Sequence, residues 1–224
     1  MAQKPSNWVK KAVAKKSSYS PRSMRKTFEA DGVLMATDGR RAHYHFDDSY
    51  VCANNSDDDF PHDVLIARLE DARGGDLVAT FSPYAVRKAC TAALVFFKRL
   101  KNTYVPPFIY CYFGKTLMKL GTARDEIGSM EFRLRDGDKW KLVKSTRDQH
   151  YDLLCQDRHH VYFNPLLLRD TLDGMGESAT MRFSPENFHY HFEGDNKSEA
   201  ILMPLSPATF VQQYKPVFND FSYE

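Results

Sequence analysis

The sequence predicts an α+β protein in which antiparallel sheets alternate with helices gathered on one face. Period-two apolar runs recur along the chain, and helix starts recur near residues 6, 62, 82 and 164. Two of those starts, at Pro83 and Pro165, carry proline at the first helical position, where its missing N–H costs nothing. A strand–helix–strands unit used repeatedly builds layered sheets with a helical layer.

The elements follow in order. Ser6 or Asn7 can cap a first helix to about Lys16, with Trp8, Val9, Ala12 and Val13 as its apolar stripe. Strand-like residues 27–30 and 33–36 flank an Asp31-Gly32 turn, and residues 42–46 alternate again. Residues 54–59 form a polar loop. A helix over 62–73 turns Val64, Leu65, Leu69 and Ala72 inward and ends at Gly74-Gly75. Residues 77–81 make a strand, after which Ser82 caps a helix to about Lys101. Its expected packed face is Ala85, Ala89, Ala92, Ala93, Phe96 and Leu100. Pro106-Pro107 stops anything continuing, and residues 108–154 read as strands. A strand over 160–163 feeds the cap Asn164, a helix over 166–173 and Gly174. Residues 179–183 and 188–192 alternate, and 200–205 form a last strand. The expected division is a first unit over 1–76, a second over 77–205 and a tail over 206–224.

Length and composition narrow the function. With 224 residues there is room for one large domain or two of about 100 residues. Apolar residues make up 42% and charged residues 27%, the balance of a soluble globular protein. No apolar run approaches the roughly 20 residues that span a bilayer, and no apolar segment follows the first residues as a secretion signal would. Cys52, Cys90, Cys111 and Cys155 lie far apart and form no CxxC pair, which favours a reducing, cytoplasmic setting. Net charge is only +2, but residues 1–30 carry +7 and residues 31–76 carry −7. Residues 83–101 hold five basic residues and no acid. Segregated charge of this kind attracts phosphate on one surface and repels it elsewhere.

Two segments carry a resemblance. Ala36-Thr37-Asp38-Gly39-Arg40-Arg41-Ala42 follows an apolar strand, and Tyr162-Phe163-Asn164-Pro165 opens a helix that leads through two strands to Ala200-Ile201-Leu202-Met203-Pro204-Leu205. Together and in this order they resemble the bacterial DNA polymerase III β sliding clamp family, closely over residues 8–46 and 160–205 and only in topology over 77–155. The resemblance implies a DNA-clamp fold, with sheets outside and helices on the inner face. It also implies a non-enzymatic processivity factor that encircles duplex DNA without reading its sequence and needs no cofactor. The family has three domains where this chain has room for two, so a closed six-domain ring would be a homotrimer. Basic residues available for the lining are Lys10, Lys11, Lys15 and Lys16 on the first helix, and Arg87, Lys88, Lys98 and Arg99 on the central one. The helix at 165–173 carries Asp170 and Asp173 and is not basic. A groove for DNA polymerase and clamp-loader peptides would be lined by Thr37, Gly39, Arg40, Arg41 and Ala42, with Ile201, Leu202, Met203 and Pro204.

Other constellations have simpler readings. His43-Tyr44-His45 and His189-Tyr190-His191 place histidine pairs on one strand face, as zinc ligands could be. Simple alternation, aromatic inward and imidazole outward, accounts for the second run without a metal. Asp57-Asp58-Asp59 reads as a solvated loop, and His159-His160 as surface. No P-loop, GxSxG or HExxH motif occurs. The tail from Phe210 to Phe218 reads as a docking strap. Two alternatives stay beside the sliding clamp. One is a clamp-fold adaptor or decoy that binds replication peptides without closing a ring. The other is a metal-dependent nucleic-acid enzyme built on the histidine and aspartate clusters.

Overall fold

A computed structural model describes residues 5–16, 21–50, 60–75, 77–99, 107–113, 117–121, 130–133, 142–143, 161–183 and 189–205. The loop at 54–59, Cys52, Cys155, His159-His160, Phe188, the helix end at 100–101 and the tail lie outside the described residues, as do the side chains of Phe96 and Arg99.

The first helix, α1 (Pro5–Val9), runs into a 3₁₀ turn over Lys10–Ala12 and stops there, short of the expected Lys16. Val13 is already extended, and the Ala14 amide donates to the Met24 carbonyl at 2.8 Å instead of continuing a helix. Strands β1 (Phe28–Ala30) and β2 (Val33–Thr37) form the expected hairpin. Asp31 and Gly32 both take positive φ (48° and 78°), the requirement of a tight two-residue turn. Then come β3 (Arg41–Phe46), α2 (His62–Arg73), β4 (Leu77–Phe81) and α3 (Pro83–Arg99). Four strands follow: β5 (Ile109–Phe113), β6 (Leu117–Gly121), β7 (Met130–Arg133) and β8 (Leu142–Val143). After β9 (Val161–Phe163) the Asn164 side chain accepts from the amides of Leu166 and Leu167, starting α4 (Pro165–Leu172) as its sequence requires. The last strands are β10 (Ala179–Phe183), β11 (Tyr190–Gly194) and β12 (Ser198–Leu202).

Eight strands form one antiparallel sheet in the order β1-β2-β3-β12-β11-β10-β4-β8, and four form a second, β7-β6-β5-β9. The large sheet runs continuously across residue 76, because β3 pairs with β12, placing Ala42 opposite Ile201. Both of its faces are covered. On one, Leu34, Ala36 and Leu202 join Trp8, Val86, Ala89, Phe163, Leu168 and Phe192 in a core shared with α1, α3 and α4. On the other, Val33, Met35, Ala42, Tyr44 and Ile201 meet Leu69 and Ala72 of α2. Three helices therefore share a face and α2 takes the opposite one.

This two-sided cover changes several expectations. His189 and His191, expected outside, are only 8% and 1% exposed because α2 lies over that face. Val64, expected inward, is 59% exposed. On α3 the packed stripe is Val86, Ala89, Cys90, Ala93 and Phe97, while Ala92 faces solvent, so the buried face is rotated from the one expected. Cys90 and Cys111 are free and buried, and burial pushes the Cys90 thiol up to about 12, leaving it inert as a nucleophile.

Candidate functional site

The turn between β2 and β3 is built by its own side chains. Asp38 accepts from the amides of Arg40 (3.0 Å) and Arg41 (3.1 Å), while Thr37 donates its hydroxyl to the Arg41 carbonyl at 2.8 Å. Gly39 takes φ 82°, and a Cβ there would meet open space, so the conformation and not crowding requires glycine. Thr, Asp and Gly at these spacings thus hold Arg40 out at the tip. The Met203 amide donates to the Arg40 carbonyl at 2.9 Å, tying the turn to the end of β12.

Beside this junction lies a groove of about 570 Å³. Thr37, Gly39, Arg40 and Ala42 form one wall and Ile201 and Met203 the floor. Pro61, Val64, Leu65 and Arg68, at and just before the start of α2, line it from the helix side, and Met24 and His189 complete the lining. The two segments expected to meet do meet. Leu202 and Pro204, also expected there, are not among its walls. Strand alternation turns Leu202 into the core on the opposite face. Arg41 reaches the edge of the groove, yet its guanidinium points the other way. It bonds the Asp38 and Asp170 carboxylates (3.2 and 3.3 Å) and the Lys11 carbonyl, so its charge is taken up within the fold. Sequence reasoning missed the α2 wall. Val64 was expected inward with Leu65, Leu69 and Ala72, but it is exposed beside the groove.

Polar groups support the floor from beneath α2. Glu199 accepts from Arg73 through both oxygens (2.9 and 2.6 Å), and His191 Nε2 lies 2.7 Å from it. Burial alone would raise the Glu199 carboxyl, but the hydrogen bonds from His191 and Arg73 outweigh it and hold it at about 2. Tyr44 donates to the Leu65 carbonyl at 3.0 Å, and burial raises its phenol. On the opposite face, His43 stacks on Trp8 at 4.4 Å and contacts the Trp8 carbonyl and the Thr171 hydroxyl. Burial, then the nearby Arg41 charge, lower it to about 3. The four strand histidines therefore have separate partners, with His45 on Ser198 and His189 beside Asp71. Among the described residues no group of three or more His, Cys, Asp or Glu side chains could hold a metal ion.

The basic residues divide into two groups. Lys10, Lys15, Lys16, Lys88 and Lys98 are exposed, with Lys88 over the Tyr84 ring at 4.5 Å. Lys11 and Arg87 instead converge on Asp173, and Asp170 is met by Arg41 and Arg169. Asp170 and Asp173 are thus counterions within the fold, while Lys10 in the 3₁₀ turn, Lys15 and Lys16 beyond it, and Lys88 and Lys98 of α3 stay exposed. No helix among the described residues is long and apolar enough to cross a membrane.

No family model matches the sequence, and no curated relative matches it either. Solved structures do. The DNA polymerase III subunit beta of Pseudomonas aeruginosa superposes with a TM-score of 0.61 at 15% identity, over 89% of this chain and 62% of that one. A putative DNA polymerase III beta subunit from Eubacterium rectale gives 0.62 at 12% identity, over 90% and 63%. The beta sliding clamp of C. crescentus gives 0.58 at 12% identity, over 90% and 62%. The chain has the α+β fold of the bacterial DNA polymerase III beta sliding clamps, and it spans a little under two thirds of their length.

Proposed function

We infer that this is a clamp-fold protein of DNA replication, one that holds partner peptides in the groove and meets duplex DNA along the lysines that follow α1 and those of α3. The observation that carries the reading is the junction of residues 37–42 with 201–203. It makes an apolar groove with a few polar anchors, the form a short linear motif needs. As a processivity factor the chain would close a homotrimeric ring, tether a polymerase or clamp loader, and perform no chemistry itself. Lysine contacts to phosphate carry no base readout and so permit sliding. Light scattering of the full chain should give a trimer mass, and a peptide bearing one Gln and two or three apolar anchors should bind by calorimetry. Changing Lys10, Lys15, Lys88 and Lys98 to Glu should lower the salt slope of DNA binding by about 0.9 for each phosphate no longer neutralised. An unchanged slope would remove these four lysines from the DNA surface.

A second reading has its own support. Residues 37–42, 61–68 and 201–203 meet within the chain itself, so a monomer already presents this groove. A stable monomer that still binds the peptide would make the protein an adaptor or decoy.

A further inference from the structure

The groove is apolar below and cationic above. Its apolar lining is Met24, Val64, Leu65, Ile201 and Met203, and among the described residues no Asp or Glu lines it. Arg40, at the tip of the β2–β3 turn, and Arg68, on the second turn of α2, both line it, one from the sheet and one from the helix. Both are exposed, and neither makes an ion pair among the described residues, unlike Arg41 with Asp38 and Asp170 or Arg73 with Glu199. The acids of α2 (Asp63, Glu70 and Asp71) are not part of the lining. In the same lining His189 is 8% exposed, and its Nε2 makes no hydrogen bond. The Asp71 carboxylate stands 3.4 Å from that nitrogen but outside hydrogen-bond geometry.

Two unpaired guanidiniums over an apolar floor are unfavourable to an uncharged occupant, which would desolvate them without replacing their hydrogen bonds. A carboxylate replaces those bonds with charge-assisted ones and can take either arginine as a bidentate pair. We propose that the partner of this groove is an acidic peptide, with one Asp or Glu seated between Arg40 and Arg68 and its apolar anchors on Ile201 and Met203. This deepens the peptide-groove reading above and rests on it.

The test uses the full chain and fluorescently labelled peptides with the same apolar anchors, differing only in Glu, Gln or Lys at the central position. The Glu peptide should bind roughly tenfold more tightly than the Gln peptide, and the Lys peptide more weakly than both. Arg68→Glu, an exposed change whose fold is checked by its melting curve, should invert the order of Glu and Lys. Arg40→Gln should narrow the gap between Glu and Gln. Equal binding of all three peptides overturns the charge selection while leaving the groove as a peptide site. Binding by none of them, or binding that survives Ile201→Asp in a folded variant, overturns the groove reading and this proposal with it. Displacement of bound peptide by a short duplex at moderate salt would assign the two arginines to DNA and also refute it.

Discussion

The two faces of the eight-stranded sheet are built from the same strands and do opposite work. Residues 34, 36, 43 and 202 face α1, α3 and α4, and the polar groups of Trp8, Arg41 and His43 there find partners inside the fold. Trp8 donates its indole N–H to the carbonyls of Asp170 and Thr171, capping the end of α4, while His43 bonds to Trp8 and Thr171. Residues 35, 42, 44 and 201 face α2, which covers only part of them. At the edge of that cover Val64 and Met203 are 59% and 46% exposed, and Arg40 and Arg68 have no counterion among the described residues. One face is sealed by exchange of hydrogen bonds. The other is left open where α2 begins.

If that difference governs the energetics, substitutions on the sealed face should cost stability and those on the open one should not. Trp8→Ala should have the largest effect. It empties the site of a fully buried ring and strands two carbonyls and the His43 stack, an expected loss of about 4 kcal/mol in urea denaturation. A loss below about 1 kcal/mol would mean that α1 is not an integral part of that core. Arg41→Ala comes next, at about 3 kcal/mol, because it leaves Asp38 and Asp170 partly buried without their shared cation. Peptide affinity should hold in that variant under conditions where it stays folded, which separates a staple from an anchor.

Much of this is legible in the sequence. Pro83 and Pro165 mark true helix starts, Asp31-Gly32 is a true hairpin turn, and the strand at 179–183 shows its period, while the last strand, expected over 200–205, runs over 198–202. What periodicity does not reveal is what covers a strand's second face. The run His189-Tyr190-His191-Phe192 has the alternation of a half-exposed strand, and only the placement of α2, set by the β3–β12 pairing far along the chain, buries both imidazoles. The same long-range pairing decides that Ile201 faces the groove and Leu202 the core, a one-residue difference that a motif match treats alike. The resemblance locates the junction but assigns it Arg41, whose charge is taken up by Asp170, 129 positions away. Lys11 and Arg87 look like free cations in the sequence for the same reason, since Asp173 is distant along the chain from both.

Acid should also strike the sealed face. His43 is held down at about 3 in the fold against an ordinary value of 6.5, so the unfolded chain takes its proton first as pH falls. The stabilisation is complete above pH 6.5 and is lost by about 1.4 kcal/mol per unit below it until the folded group itself titrates near 3. Glu199, held at about 2 against 4.5, adds loss in the same direction below pH 4.5. His43→Phe keeps the stack on Trp8, leaves the Thr171 hydroxyl without its partner and removes the first of these titrations. Stability measured from pH 7 to 4.5 should therefore start lower in the variant and fall less steeply. Parallel curves would mean that His43 is not the group through which acid acts.

The smallest stability change belongs to the open face, where it is the most informative. Met203→Ala and Val64→Ala truncate side chains that water already reaches, so each should alter unfolding free energy by no more than about 0.5 kcal/mol. Both side chains form walls of the groove, and truncating a hydrophobic wall there should weaken a bound peptide by about 1–2 kcal/mol each, roughly a tenfold change in Kd. The sealed face predicts the reverse ratio, a large stability loss with little change in peptide affinity once folded. Calorimetry and denaturation on the same two variants measure both quantities. A stability loss near 2 kcal/mol at Met203 would show that this side chain is packed as core, and the distinction between the faces would then fail at the residue where it matters most.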